Sequence, residues 1–279
     1  MTMRVGRIPY VNCYPVYGAV DRGVVPLDAE LIDGVPTILN QMMATGELDV
    51  SVVSAVEYAR DWERYLLLPD LAISCDGPVR SVMLFSTVPA DRLGGAKVLV
   101  SRSSMTSVQL LALLFEHVWN AAPDCVPGNA EAADVRGSGD VHACTARLVI
   151  GDAALMLGAA TIPSAYEYVY DLGGEWKKWT GLPFVFAVWV AQRTVETKRA
   201  LAVHAALIES RNWGLQHLDV LARQAHEATE VPVHVCHEYL SGLDYGLSYP
   251  HLGGLTEFYR RLTLAGRVAP QRLSFLPAA

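Results

Sequence analysis

Short apolar runs alternate with segments of helical periodicity over the first two thirds of the chain. The runs are rich in valine, isoleucine or phenylalanine and bounded by turn residues, a pattern that predicts buried strands. They lie at 4–11, 48–53, 82–86, 97–101, 146–150 and 183–190. Apolar positions at helical spacing predict helices over 37–45, between Pro36 and Gly46, and from residue 105 to Val118. The last third has a helical pattern, at 196–227 and 252–264.

This alternation predicts an α/β protein of two lobes, each a mainly parallel sheet flanked by helices, with a cleft between them. A strand leaving near residue 86 and another returning near residue 189 predict a discontinuous lobe I, 1–88 plus 188–279, and an inserted lobe II, 89–187. Ligands of such sheets bind at the carboxyl ends of the strands. The polar residues near predicted strand ends are Asn12, Ser54, Ser86, Ser101 and Asp152.

Composition narrows the class of protein. With 52% hydrophobic and 18% charged residues, the 279-residue chain can fill two cores. Its apolar runs are shorter than the roughly 20 residues that span a bilayer, and its first residues lack the apolar segment of a secretory signal. Five scattered cysteines without a C-x-x-C pattern indicate reduced thiols, so we expect a cytoplasmic protein. The net charge of −7 argues against nucleic acid and anionic membranes as partners.

The stretch 101–107 is the most informative motif, because it joins a predicted strand to the start of a predicted helix. Free backbone N–H groups and five hydroxyls there favour a site for a carboxylate. The alternative is that one serine merely caps the helix. The candidate ligands are Ser103, Ser104, Met105, Thr106 and Ser107.

The other candidate residues each have a structural interpretation beside the functional one. Asp152, after Gly151, either reaches the cleft or caps a helix, and Asn12 either binds a ligand or forms a turn. Arg80 is a potential carboxylate partner or a solvated surface charge. His234 to Glu238 lacks a second cluster at metal-ligand spacing, so we expect no metal site. No phosphate-binding glycine loop or G-x-S-x-G elbow occurs, which leaves nucleotide cofactors and serine hydrolysis unsupported.

Several of these segments together resemble the chorismate dehydratases of the futalosine route to menaquinone. The segments are Gly6 to Asn12, Ser81–Val82, Ser104 with Thr106–Ser107, Leu148 to Leu155, and Trp176 to Trp189. The resemblance implies a fold similar to type II periplasmic binding proteins. It also implies dehydration of chorismate to 3-[(1-carboxyvinyl)oxy]benzoate without a metal or organic cofactor.

The resemblance also implies residue roles. Ser104, Thr106 and Ser107, with nearby N–H groups, would hold a substrate carboxylate, while Asn12 and Ser81 position the reacting face. The base is either Asp152 or the substrate's own enolpyruvyl carboxylate. The remaining substrate-binding candidates are Tyr10, Arg80, Ser103, Met105 and Gly151. The sequence does not decide whether the chain forms a homodimer. The alternatives are a solute-binding protein for a small organic anion, a dihydroxynaphthoate-forming cyclase of the same pathway, and a ligand-sensing regulator domain.

Overall fold

A computed structural model describes residues 2–131, 144–160 and 166–277 of the chain. The strands are β1 Met3–Arg7, β2 Ala29–Asp33, β3 Val50–Ser54, β4 Tyr65–Cys75, β5 Val82–Ser86, β6 Lys97–Ser101, β7 Asp124–Gly128, β8 Ala146–Ile150, β9 Tyr168–Asp171 and β10 Phe184–Gln192. The helices are α1 Tyr14–Asp21, α2 Pro36–Thr45, α3 Ala55–Asp61, α4 Met105–His117, α5 Gly151–Ala159, α6 Leu172–Thr180, α7 Thr197–Gln216, α8 Leu218–Thr229, α9 Val233–Gly242 and α10 Tyr249–Leu264. Short 3₁₀ turns span Val11–Cys13 and Ala90–Arg92.

The strands form two five-stranded sheets, in the orders β2-β1-β3-β10-β4 and β7-β6-β8-β5-β9. Four strands of each sheet point the same way, and the fifth runs antiparallel to both neighbours. The reversed strands are β10 and β5, which are the first strands after the chain crosses from one sheet to the other. The predicted α/β fold with two sheets flanked by helices is confirmed, and each sheet is mixed because of its one reversed strand.

The crossings lie earlier in the chain than the sequence predicts. The predicted boundaries at 88/89 and 187/188 place β5 in lobe I, yet β5 pairs with β8 and β9 in the second sheet. The chain changes sheet between Cys75 and Val82 and returns between Asp171 and Phe184. An apolar strand carries no mark of the sheet it joins, so the hydrophobic pattern alone misassigned β5. Below, lobe I is the part built on the first sheet and lobe II the part built on the second.

Aromatic side chains pack where the chain returns to the first sheet. Trp176 of α6 contacts Phe184 of β10 and Phe258 of α10 edge-on, with ring centroids 5.2 Å and 6.0 Å away. The Trp176 indole N–H donates to the Pro183 carbonyl at 3.1 Å. Such contacts stabilise by more than the burial of area alone. The C-terminal helices α7 and α10 pack on lobe I, where α7 contacts α1 and β4 and α10 contacts α3 and β10.

Candidate active site

A cavity between the two sheets is lined by residues of both lobes and encloses about 580 Å³, counting its open mouth. Six of the predicted site residues line it: Tyr10, Asn12, Ser81, Ser104, Ser107 and Gly151. The rest of the wall consists of Ile8, Pro36, Ser54, Ile73, Val79, Val82, Ile150, Phe186 and Ala187. Within the described residues no charged side chain lines the cavity. An anion there would be held by neutral donors in a largely apolar space.

Asn12 lies in the 3₁₀ turn that follows β1, at the carboxyl end of that strand. Its side-chain oxygen Oδ1 is buried and has no hydrogen-bond partner within the described residues. An orphaned buried oxygen costs free energy, so proteins rarely keep one without a reason. Because Asn12 lines the cavity, a bound ligand is the partner that would satisfy this amide.

The start of α4 forms the opposite wall. Ser104 is the N-cap: its Oγ accepts from the Ser107 N–H at 3.2 Å, and its hydroxyl donates to Ser107 Oγ at 2.8 Å. The backbone N–H groups of Met105 and Thr106 have no acceptor among the residues described. The capping and anion-binding interpretations are therefore compatible, because the cap uses one N–H and leaves two at the positive end of the helix dipole.

Ser81 and Gly151 join the two strand ends beside the cavity. Ser81 is 2% exposed, and its carbonyl accepts from the Gly151 N–H at 2.8 Å. Gly151 has a left-handed φ of 64°, and a Cβ placed there would lie 3.0 Å from Cε2 of Tyr10. Tyr10 of lobe I therefore packs directly on the backbone of lobe II.

Three other predicted residues connect the lobes instead of lining the cavity. The Thr106 hydroxyl oxygen accepts from the Val56 N–H at 3.2 Å, and Met105 Sδ accepts from Asn40 Nδ2 at 3.2 Å. Asp152 Oδ1 accepts from the Val11 N–H at 3.0 Å. Each bond joins an element of lobe I to the start of α4 or α5 in lobe II. The structure therefore shows the lobes drawn together.

Two predicted binding residues lie away from the cavity. The Arg80 guanidinium pairs with Glu238 at 2.9 Å on the surface, and the Arg80 N–H donates to Asp171 Oδ2 at 2.6 Å. The Ser103 N–H donates to Ser101 Oγ at 3.0 Å, so Ser103 shapes the turn before α4. The surface-charge interpretation of Arg80 is the one that the geometry supports.

Asp152 has an unusual carboxyl group. Burial raises its pKa to about 6, and the hydrogen bond from the Val11 N–H partly opposes that rise. The group therefore changes charge near neutral pH, as a general base can. However, its Oδ1 accepts from the Val11 N–H, and Asp152 is not part of the cavity wall.

Within the parts of the chain that the structure describes, no three His, Cys, Asp or Glu residues are grouped to hold a metal ion, and no helix is long and apolar enough to cross a membrane.

Sequence reasoning placed Ser54 at a strand end without assigning it a role. It missed the apolar wall formed by Ile73 and Phe186, because apolar residues on buried strands look alike in sequence.

Comparison with known proteins sets this site in a family. The family model described as "Menaquinone biosynthesis" matches residues 3–263. The chorismate dehydratase of Thermus thermophilus is 32% identical over 280 residues, covering 92% of this chain and 96% of that protein. The chain belongs to the menaquinone biosynthesis family. In this family member, the residues 6–12 and 148–155 that carry the resemblance provide Tyr10, Asn12 and Gly151 to the cavity.

Solved structures place this menaquinone biosynthesis protein in the periplasmic-binding-protein fold. A protein from Archaeoglobus fulgidus superposes with a TM-score of 0.79 at 18% identity, covering 95% of this chain and 98% of that one. The periplasmic aliphatic sulphonate binding protein of Escherichia coli gives a TM-score of 0.61 at 13% identity, covering 97% and 89%. At these identities the likeness concerns the fold alone.

Proposed function

We infer that this protein dehydrates chorismate to 3-[(1-carboxyvinyl)oxy]benzoate, a lyase step of menaquinone biosynthesis by the futalosine route. The observation that carries this inference is the orphaned amide oxygen of Asn12, which lies in the same cavity as the N-terminus of α4. A site with a free amide on one lobe and unused N–H and O–H donors on the other suits a substrate that carries both hydroxyl and carboxylate groups.

The reaction needs little beyond placement and fixed donors. Chorismate loses a proton from the ring carbon that bears the enolpyruvyl ether, and the electron pair delocalises through the ring double bond into the ring carboxylate. The neighbouring hydroxyl then leaves, and the ring becomes aromatic with release of one water. Donors that are already oriented stabilise the growing charge without reorganising. The apolar wall of Ile73, Ile150 and Phe186 keeps water from the reacting face.

The protein's groups divide between binding and positioning. The Ser107 hydroxyl, which accepts from Ser104, and the free N–H groups of Met105 and Thr106 hold a substrate carboxylate. Asn12 offers both an acceptor and a donor to the leaving hydroxyl, and Ser81, which directly precedes β5, lines the same cavity. Thr106 contributes its backbone N–H, because its side chain does not line the cavity and bonds to Val56 of lobe I instead.

The base is the substrate's own enolpyruvyl carboxylate in this proposal. Asp152 has a suitable pKa of about 6, but it does not line the cavity, and its Oδ1 accepts from the Val11 N–H. Its place is therefore that of a bridge between the lobes.

The five cysteines are all free, which suits a reducing compartment, and we place the enzyme in the cytoplasm. A homodimer stays a prediction.

Incubation with chorismate tests the function. We expect purified protein to abolish the diene absorbance of chorismate and to yield a product lighter by one water, with no change in a protein-free control. Binding of chorismate without turnover would instead assign the solute-binding role. The absence of both binding and turnover would exclude chorismate as the ligand.

In the same assay Asp152→Asn, which keeps an oxygen acceptor for Val11, should retain near-normal turnover. A loss of about 100-fold or more would make Asp152 the base.

A further inference from the structure

Ser54 is a buried polar residue of the cavity wall that the proposed chemistry leaves unused. It ends β3, caps α3 and is 5% exposed. Its Oγ accepts from Asn40 Nδ2 at 2.9 Å and from the Glu57 N–H at 3.3 Å. A serine hydroxyl has two acceptor lone pairs and one O–H. Both lone pairs are occupied, and the O–H has no acceptor in the described ranges, so the hydroxyl is available as a donor at the cavity wall.

Asn40 fixes the direction of that donor. Asn40, on α2, is 3% exposed, and its Oδ1 accepts from the Ser54 N–H at 3.0 Å while its Nδ2 donates to Ser54 Oγ. Two hydrogen bonds of opposite direction between the same pair hold both side chains in one rotamer. The same Nδ2 also faces Met105 Sδ at 3.2 Å, so Asn40 ties the position of Ser54 to the start of α4.

The helices α3 and α4 begin side by side. The Val56 N–H donates to the Thr106 hydroxyl oxygen at 3.2 Å, which brings the two N-termini together across the lobes. Ser54 lines the cavity with Ser104 and Ser107. The Ser104 hydroxyl donates its hydrogen to Ser107 Oγ, so the Ser107 hydroxyl keeps one hydrogen for a ligand. An anion at the start of α4 therefore faces a hydroxyl donor from each lobe.

We propose that the Ser54 hydroxyl donates a hydrogen bond to the substrate carboxylate held at the N-terminus of α4, and that Asn40 is the positioning residue that directs it. The proposal rests on the function inferred above and adds a donor from lobe I to the anion site. No charged side chain lines the cavity in the described part of the chain, so each neutral donor contributes measurably to the binding of a carboxylate.

Kinetics of Ser54→Ala with chorismate test the proposal. Loss of a donor to a charged acceptor should lower kcat/KM about 10- to 100-fold and raise KM, because this hydrogen bond is already formed when the substrate binds. Ser54→Thr, which keeps a hydroxyl, should recover most of the loss. A residue that only caps α3 would lower the melting temperature and leave KM unchanged, and that result overturns the proposal.

Ser51→Ala is the matched control. Ser51 is a fully buried serine of the same strand whose hydroxyl donates to the Val52 carbonyl at 2.9 Å, and it does not line the cavity. We expect wild-type kcat/KM from this variant. An equal loss in Ser51→Ala and Ser54→Ala would mean that the strand, not the donor, is responsible.

A double-mutant cycle tests Asn40. Because Asn40 acts through Ser54, Asn40→Ala should raise KM, and the double variant should be no worse than the poorer single variant. Additive losses overturn the positioning role. If Asn40→Ala does not fold, Asn40→Asp replaces it, since its carboxylate would capture the Ser54 O–H and again raise KM. If wild type converts chorismate and Ser54→Ala matches it, only this proposal fails; if wild type does not convert chorismate, the function fails and the proposal with it.

Discussion

Asn12→Ala is expected to lower kcat/KM for chorismate by at least about 100-fold, the loss typical of one oriented active-site group. Its melting temperature should stay within about 2 °C of wild type or rise. The reason is that the Asn12 oxygen is buried without a partner, so its removal relieves a desolvation cost and breaks no hydrogen bond in the described structure. Steady-state kinetics and thermal unfolding measure the two effects.

The combination of the two readouts decides the role of Asn12. A structural asparagine would lose stability when truncated, and its activity loss would follow that instability. Unchanged kcat/KM in a folded Asn12→Ala variant would contradict the active-site role, and an activity loss that vanishes at lower temperature would make the defect one of folding.

Gly151→Ala is expected to lower kcat/KM at least about tenfold, because it strains the backbone and pushes the lobes apart. A left-handed conformation costs a residue with a Cβ roughly 1–2 kcal/mol. The new methyl would also lie 3.0 Å from Cε2 and 3.1 Å from Cδ2 of Tyr10. Displacement of Tyr10 moves Asn12 relative to lobe II, and misplacement by about 1 Å can cost 100-fold in rate.

Gly46→Ala separates backbone strain from lobe contact. Gly46 caps α2 with a φ of 78°, and a Cβ there would meet no atom within 4 Å. Both variants should lose the stability that a left-handed backbone costs a residue with a Cβ, but only Gly151→Ala should lose turnover. Equal turnover in the two variants would show that the contact between Tyr10 and Gly151 does not control the site.

Much of the site was predictable from sequence because it lies at strand ends. Asn12, Ser104 and Ser107 follow apolar strands, and the carboxyl ends of such strands face the cleft of this fold. The hydroxyl-rich start of α4 also carries its own signal, since a cap needs only one hydroxyl. What the hydrophobic pattern could not give is the sheet to which β5 belongs, because its residues Val82–Ser86 would suit either core.

The contacts across the lobes were beyond sequence reasoning for a physical reason. The partner of Thr106 is a backbone N–H of Val56, and that of Asp152 is a backbone N–H of Val11. Every residue but proline has such a group, so the partner leaves no trace in composition or spacing. Thr106, a predicted ligand, and Asp152, a candidate base, therefore form hydrogen bonds between the lobes, while Ser54 lines the cavity without forming part of a recognisable motif.

A crystal structure of the protein with bound 3-[(1-carboxyvinyl)oxy]benzoate tests most directly whether residues of both lobes contact one bound molecule. The account predicts a single product molecule between the sheets, with one carboxylate at the Ser107 hydroxyl and the N-terminus of α4, and with the Asn12 amide within hydrogen-bond distance of the opposite side. A product that contacts one lobe only, or binds away from Asn12, would contradict it.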